Sequence, residues 1–82
     1  MTPLLVLADN PGLAVHYART HQLGRLSWRY IPDAYALRHI DTDSPGQFVV
    51  VAGRKPIPSD ARQERGDTIA QLKRAGFRRI DP

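Results

Sequence analysis

Apolar residues in this chain form short runs that alternate with segments of helical periodicity. The runs predict four strands, at residues 4–8, 27–31, 47–52 and 77–80. The first and third are continuously apolar, which is typical of parallel strands buried on both faces. The second has Trp28 and Tyr30 on one face and Arg29 on the other, and the fourth carries two arginines. Arginines suit the edges of a sheet, where charge discourages further strand pairing.

Helix signals lie between the predicted strands. Asn10 is a suitable N-cap for a first helix, and Pro11 fits its first position. We expect Gly24 to end this helix, because glycine tolerates the left-handed conformation that often follows a helix. After the second strand, Asp33 can cap a short helix that runs to residue 39 or 40.

A third helix is predicted to begin at a cap formed by Ser59 or Asp60, to run to about residue 75 and to close at Gly76. The order βαβαβαβ indicates a parallel sheet with right-handed crossovers. Placing the apolar strands in the centre gives the strand order 2-1-3-4, and 3-2-1-4 is the alternative. We therefore predict one α/β domain over residues 1–82, a small Rossmann-like, flavodoxin-like three-layer sandwich with a four-stranded parallel sheet.

The strand order 2-1-3-4 places a topological switch point between the first and third strands, where open parallel sheets bind ligands. The candidate ligand-binding residues in the two loops that meet there are Asp9, Asn10, Gly12, Gly53, Arg54 and Lys55. Helix-terminal amides together with Arg54 and Lys55 could hold a phosphate or carboxylate, and Asp9 could bind a metal ion or take a proton. The plainer interpretation is that Asp9 ends a strand and Asn10 caps a helix.

Motifs for catalysis and cofactor binding are missing from the sequence. It has no cysteine, its three histidines lack the spacing of a zinc motif, and it has neither a glycine-rich phosphate loop nor a nucleophile elbow. We therefore expect no enzymatic activity, no cofactor and no metal.

The formal net charge of +4 is compatible with a nucleic-acid binder. Ten of the twelve basic residues are arginine, however, and arginine has GC-rich codons, so genome composition can account for much of the charge. We expect binding to nucleic acid to be weak or absent.

Self-association is predicted from the topology. We expect the first helix to cover strands one and two, leaving an aliphatic patch on strands three and four that a twofold partner would cover. The third strand offers two alternate apolar sets for this patch, one with Phe48, Val50 and Ala52 and the other with Val49 and Val51. The predicted interface residues are Phe48 and Val50, with Trp28 and Tyr30 on the second strand as another pairing edge.

The segments "LLVLADNPGLAVHYARTHQLG", "WRYI", "DAYALRHI" and "QFVVVAG" resemble small accessory proteins of actinobacteriophages, and of mycobacteriophages in particular. The resemblance covers roughly residues 4–53. It implies a Rossmann-like α/β fold, a phage origin and a role in binding host or phage proteins. It implies no catalytic residue.

We therefore expect a non-enzymatic, phage-encoded protein that forms a homodimer and binds a host or phage protein, which could interfere with host physiology. The alternative is a binder of a small phosphorylated or anionic ligand at the switch point, and the third hypothesis is a weak nucleic-acid binder. No apolar run is long enough for a transmembrane helix, and no basic segment precedes the first apolar run. We accordingly expect no membrane association and a location in the host-cell cytoplasm.

Overall fold

Strands and helices alternate along the chain in the computed structural model, which describes residues 3–41, 43–53 and 55–82. In chain order, the elements are β1 (Leu4–Ala8), α1 (Pro11–Thr20), β2 (Trp28–Ile31), a 3-10 helix (Ala34–His39), β3 (Gln47–Val51), α2 (Ser59–Arg74) and β4 (Arg78–Ile80). Each predicted strand and helix is present, and the predicted second helix has 3-10 geometry.

The four strands form one parallel sheet in the order β2-β1-β3-β4, which confirms the predicted order and excludes 3-2-1-4. In the centre of the sheet, Val6 lies opposite Tyr30 on one side and Val49 on the other. Residues 5–8 of β1 are all buried. The continuous apolar run of β1 therefore reflects burial on both faces, as the pattern indicated.

Two apolar cores lie on opposite faces of the sheet. On one face, Val6 and Val49 pack with Ala14 and Tyr17 of α1. On the other face, α2 and the 3-10 helix contribute to a second core that includes Leu5, Leu7, Phe48, Leu72 and Phe77. α1 thus lies on one face of the sheet and the other two helices lie on the opposite face, which gives the three layers that were predicted.

The predicted aliphatic patch is not exposed in the middle of β3, where a residue of each alternate set is fully buried. Val49 is fully buried, because α1 lies over the centre of the sheet and contacts β3 as well as β1 and β2. Val51 and Ile80 are half-buried against the same core. On the opposite face, Phe48 is fully buried, so its side chain is not available as the interface residue that was predicted. Val50 is half-buried beside it.

The end of α1 differs from the prediction. The helix stops at Thr20, and the residue in the left-handed conformation is Gln22, with φ of 55°, instead of Gly24. The amide of Leu23 donates a hydrogen bond of 2.8 Å to the carbonyl of Ala18, which closes the turn. Leu23 packs against the core on the α1 face. To bring Leu23 to the core, the chain must turn at Gln22, two residues before Gly24.

Two of the three predicted helix caps are confirmed. The Asn10 side chain accepts a hydrogen bond of 2.9 Å from the amide of Leu13. The Asp33 side chain accepts one of 3.2 Å from the amide of residue 36. The prediction for α2 is wrong: its N-cap is Pro58, no side chain caps it, and Ser59 is already helical. The two prolines before α2 set the direction of the chain at this point.

We predict that the same substitution at two glycines has opposite effects on stability. Gly76 follows α2 with φ of 98°, and a Cβ there would lie 3.2 Å from Cγ of Pro45. Gly76→Ala should therefore lower the free energy of unfolding by about 1–2 kcal/mol, the cost of a left-handed residue with a side chain. Gly66 lies inside α2, and a Cβ there would have no neighbour within 4 Å. Gly66→Ala should raise the free energy of unfolding by about 1 kcal/mol.

Urea denaturation of the two variants and the wild type measures both effects. A destabilised Gly66→Ala, or a Gly76→Ala variant as stable as the wild type, would contradict the backbone conformation described for α2 and its end.

Candidate functional site

The carboxyl ends of the parallel strands, which we call the carboxyl edge of the sheet, bring most of the predicted ligand-binding residues together. Asp9, Asn10, Gly53 and Lys55 line a cavity of about 410 Å³ beside the ends of β1 and β3. Leu13 and the proline-rich segment before α2 complete its wall. Gly12 is exposed in the first turn of α1 and does not line this cavity. Arg54 lies outside the described residues.

Asp9 is the central residue of this edge, and both of its carboxylate oxygens are engaged. Oδ2 accepts a hydrogen bond of 3.1 Å from the backbone amide of Gly53, in the loop after β3. Oδ1 forms an ion pair with Nη2 of Arg65 from α2. The two paired side chains are only 17% and 19% exposed. The Asp9 carboxylate therefore joins the end of β1 to the β3 loop and to α2.

Arg65 is a site residue that sequence reasoning missed. Its position in α2 carried a usable signal, because Arg65, Ile69 and Leu72 are spaced by four and three residues and therefore share one helical face. Leu72 is buried and Ile69 packs against the same core, so an arginine on that face needs an acidic partner. Asp9, at the end of the central strand, is that partner.

Gly53 permits the close approach between the two loops. A Cβ at this position would lie 2.9 Å from Oδ2 of Asp9 and 3.2 Å from Cδ1 of Leu13. A side chain at residue 53 would therefore displace the Asp9 carboxylate from the amide that it contacts. Glycine is required here by the space that Asp9 occupies.

Tyr30 of β2 lies within electrostatic range of the Asp9–Arg65 pair. Partial burial raises the pKa of the Tyr30 hydroxyl above its ordinary value, the Arg65 guanidinium opposes this rise, and the Asp33 and Asp9 carboxylates add to it. The hydroxyl is therefore protonated at neutral pH and can act as a hydrogen-bond donor.

No group of three or more histidine, cysteine or acidic residues converges among residues 3–41, 43–53 and 55–82 in a way that could hold a metal ion. No helix in the described part of the chain is long and apolar enough to cross a membrane.

A second concave region lies on the α2 face of the sheet, between the 3-10 helix and the last two turns of α2. This groove has a volume of about 690 Å³. Its apolar lining residues are Leu37, Ile40, Leu72, Ala75 and Phe77. Its exposed lining residues are Tyr35, Arg38, Gln71 and Arg74. We call these two sets the floor and the rim of the groove. The sequence analysis did not anticipate the groove.

The predicted pairing edge contains partly exposed aromatic residues. Trp28 and Tyr30 of β2 pack against the core on the α1 face and are half-buried there. Leu26, just before this strand, is 94% exposed and was not predicted as a surface residue. β2 is an edge of the sheet, so one side of its backbone is not paired with another strand.

Comparison of the chain with protein-family models, with curated proteins and with solved structures gives no match. The functional proposals below therefore depend on the geometry of this chain.

We predict that Asp9 and Arg65 stabilise the fold as a pair. Asp9→Asn keeps an oxygen for the Gly53 amide but removes the charge, and Arg65→Met keeps much of the length of the side chain. A double-mutant cycle with these variants should give a coupling free energy of about 1–2 kcal/mol, because the pair is largely buried but still touches solvent. Urea denaturation of the four proteins measures this coupling.

Arg19→Met is the matched control, since Arg19 is exposed on α1 and lies on the other face of the sheet. Its cycle with Asp9→Asn should be additive. Additive effects in the Asp9–Arg65 cycle as well would mean that the ion pair contributes nothing to folding.

Proposed function

We propose that this protein is a non-enzymatic interaction protein that binds a partner protein in the groove between the 3-10 helix and α2. The observation that supports this most directly is the groove, with its apolar floor and an exposed rim that contains tyrosine and arginine. Tyrosine and arginine are enriched among residues that dominate binding at protein interfaces. Tyr35 is 65% exposed, so its ring is accessible to a partner.

The groove exists because one crossover of the sheet is short. The 3-10 helix has six residues and spans about 12 Å at a rise of about 2.0 Å per residue. α2 has 16 residues and spans about 24 Å at about 1.5 Å per residue. The two helical segments lie on the same face, so the shorter one leaves part of the length of α2 without a neighbour.

The carboxyl edge of the sheet is less suited to a partner. Asp9 already uses both of its oxygens within the chain, and Pro11 removes one amide from the start of α1. The Asp9 carboxylate is therefore engaged within the chain, whereas the arginines on the rim of the groove are not. The difference favours the groove as the binding surface.

Self-association and a phage origin belong to the same proposal. β2 offers a strand edge with half-buried Trp28 and Tyr30 and with exposed Leu26 beside it, which suits pairing between two copies. The resemblance to small actinobacteriophage proteins favours a host or phage protein as the partner and the host cytoplasm as the location. Phage genes on both sides of the coding sequence would support this origin.

We predict that Tyr35 is required for binding the partner. In affinity capture from host lysate, proteins retained by the wild type should be lost with Tyr35→Ser, because the substitution removes the exposed aromatic ring of the rim. Val15→Ser is the matched control: Val15 is 38% exposed, lies on α1 and is remote from the groove. Quantitative mass spectrometry of the retained proteins makes the comparison.

Equal capture by wild type and Tyr35→Ser, or the absence of any retained protein, would contradict binding through the groove. Light scattering on the same purified proteins tests self-association separately. A monomer of 9.2 kDa at micromolar concentration would remove the dimer from the proposal and leave the groove.

Anion binding at the carboxyl edge is a second candidate function. The observation that favours it is the cavity of about 410 Å³ that Asn10, Gly53 and Lys55 share. Lys55 is exposed and supplies a positive charge beside the amides at the start of α1. Asp9 opposes an anion at the same place, although its charge is partly neutralised by Arg65.

If this second function is correct, phosphate or a nucleotide should raise the melting temperature. At about 100 times its dissociation constant, a ligand adds about 2.7 kcal/mol to the free energy of unfolding. Lys55→Ala should abolish the shift, whereas Lys73→Ala, a change of the same kind in the last turn of α2, should keep it. A thermal-shift screen in which no anion stabilises the protein, or in which Lys55→Ala has no effect, would exclude this site.

A further inference from the structure

The rim of the groove is positively charged. Arg38 of the 3-10 helix and Arg74 of α2 are both exposed, and no carboxylate is among the described residues that line the groove. Among the described residues, neither arginine forms an ion pair or donates a side-chain hydrogen bond. Their guanidinium groups are therefore available to an acidic partner.

Arg38 is held in position by an aromatic ring. Its guanidinium carbon lies 4.8 Å from the centroid of the Tyr35 ring, which is the geometry of a cation–π contact. The Tyr35 ring also meets the imidazole of His39 edge to face, at 6.5 Å between centroids. A guanidinium that stacks on a ring uses its face for the contact, so its in-plane N–H groups can still bind a carboxylate in a bidentate manner.

The floor of the groove accepts apolar side chains. Leu72 and Phe77 are buried at its base, and Leu37, Ile40 and Ala75 pack on the same core while remaining half-buried. Aliphatic side chains of a partner would cover these residues and continue the core outward. The groove thus combines an apolar base with two arginines, one on each of the helical segments beside it.

A second copy of this chain is a poor occupant by charge. A twofold arrangement at the groove would bring Arg38 and Arg74 of both copies together, with no acidic residue in the described lining to neutralise them. The net charge of +4 adds to this repulsion. Self-association through β2 uses a different surface and is not affected.

We infer that the groove binds a short apolar segment of another protein that carries acidic residues, with aliphatic side chains on the floor and carboxylates on Arg38 and Arg74. This inference rests on the proposed function, since it specifies the chemistry of the partner in the same groove. It differs in what it requires: the proposed function needs only that Tyr35 contributes to binding, whereas this inference needs the two charges.

Selection from a displayed library of random peptides tests the partner's chemistry. Peptides of about 12 residues, long enough for about three helical turns, are selected on the full chain and counter-screened on Tyr35→Ser. Circular dichroism confirms that this variant is folded. The peptides that bind wild type but not Tyr35→Ser should be apolar with a net negative charge.

Charge reversal then locates the carboxylates. In fluorescence anisotropy, Arg38→Glu or Arg74→Glu should weaken a selected peptide by about tenfold or more, as expected for loss of a charged contact. Arg19→Glu, the same change on the opposite face of the sheet, should alter the dissociation constant by less than about twofold. Replacing the acidic residues of the peptide by lysine should weaken binding to wild type and restore it to the Arg38→Glu variant.

The outcomes separate the two proposals. Peptides that depend on Tyr35 but are neutral or basic, or are insensitive to both charge reversals, would overturn the acidic partner and leave the groove as a binding surface. A selection that yields no Tyr35-dependent peptide would overturn both.

Discussion

The burial of β1 on both faces is the constraint from which the rest of the structure follows. Leu5 and Leu7 belong to one apolar core, and Val6 and Ala8 belong to the other. A strand with two apolar faces needs strands on both sides and helices above and below, so β2 and β3 flank it and the helices divide between the two faces. The fold of this short chain is thus organised around five residues at its N-terminal end.

The same constraint separates the two candidate sites. Because β1 is central, Asp9 at its end lies where the β3 loop and α2 can reach it, and its carboxylate is consumed by contacts to Gly53 and Arg65. On the α2 face of the sheet, β1 must be covered by the crossover between β2 and β3. That crossover is only a 3-10 helix, so it covers the strand but leaves a groove beside the end of α2. At the carboxyl edge the acidic side chain is thus engaged within the chain, whereas the groove keeps an apolar floor and exposed arginines.

The sequence predicted the features that local chemistry determines. The strand order followed from where arginines interrupt apolar runs, and the caps at Asn10 and Asp33 followed from side chains that bond to amides three residues ahead. The cavity at the switch point also followed, because strand order alone brings the two loops together. These predictions required no knowledge of how the layers pack.

Features that depend on packing between layers were predicted wrongly or missed. The left-handed turn after α1 falls at Gln22 because the next residue must reach the core, a demand that the glycine two positions later does not reveal. The predicted exposure of Phe48 was wrong because helices cover both faces of β3, so Val49 is buried on the α1 face and Phe48 on the α2 face. The groove reflects the relative lengths and positions of two helical segments, which no local pattern encodes.

Arginine illustrates why position matters more than composition in this protein. Ten of the twelve basic residues are arginine, but this count does not say how each arginine is used. Arg65 lies on the inner face of α2, where an acid neutralises it and the pair joins three parts of the fold. Arg38 and Arg74 lie beside an apolar groove with no acid among its described lining residues. The first contributes to the protein's own folding, whereas the other two leave positive charge next to exposed apolar surface.

An uncompensated charge beside an apolar surface is the combination that specific recognition uses, since the apolar surface contributes affinity and the charge selects among partners. The net charge of the chain is therefore informative only where the fold leaves it unpaired.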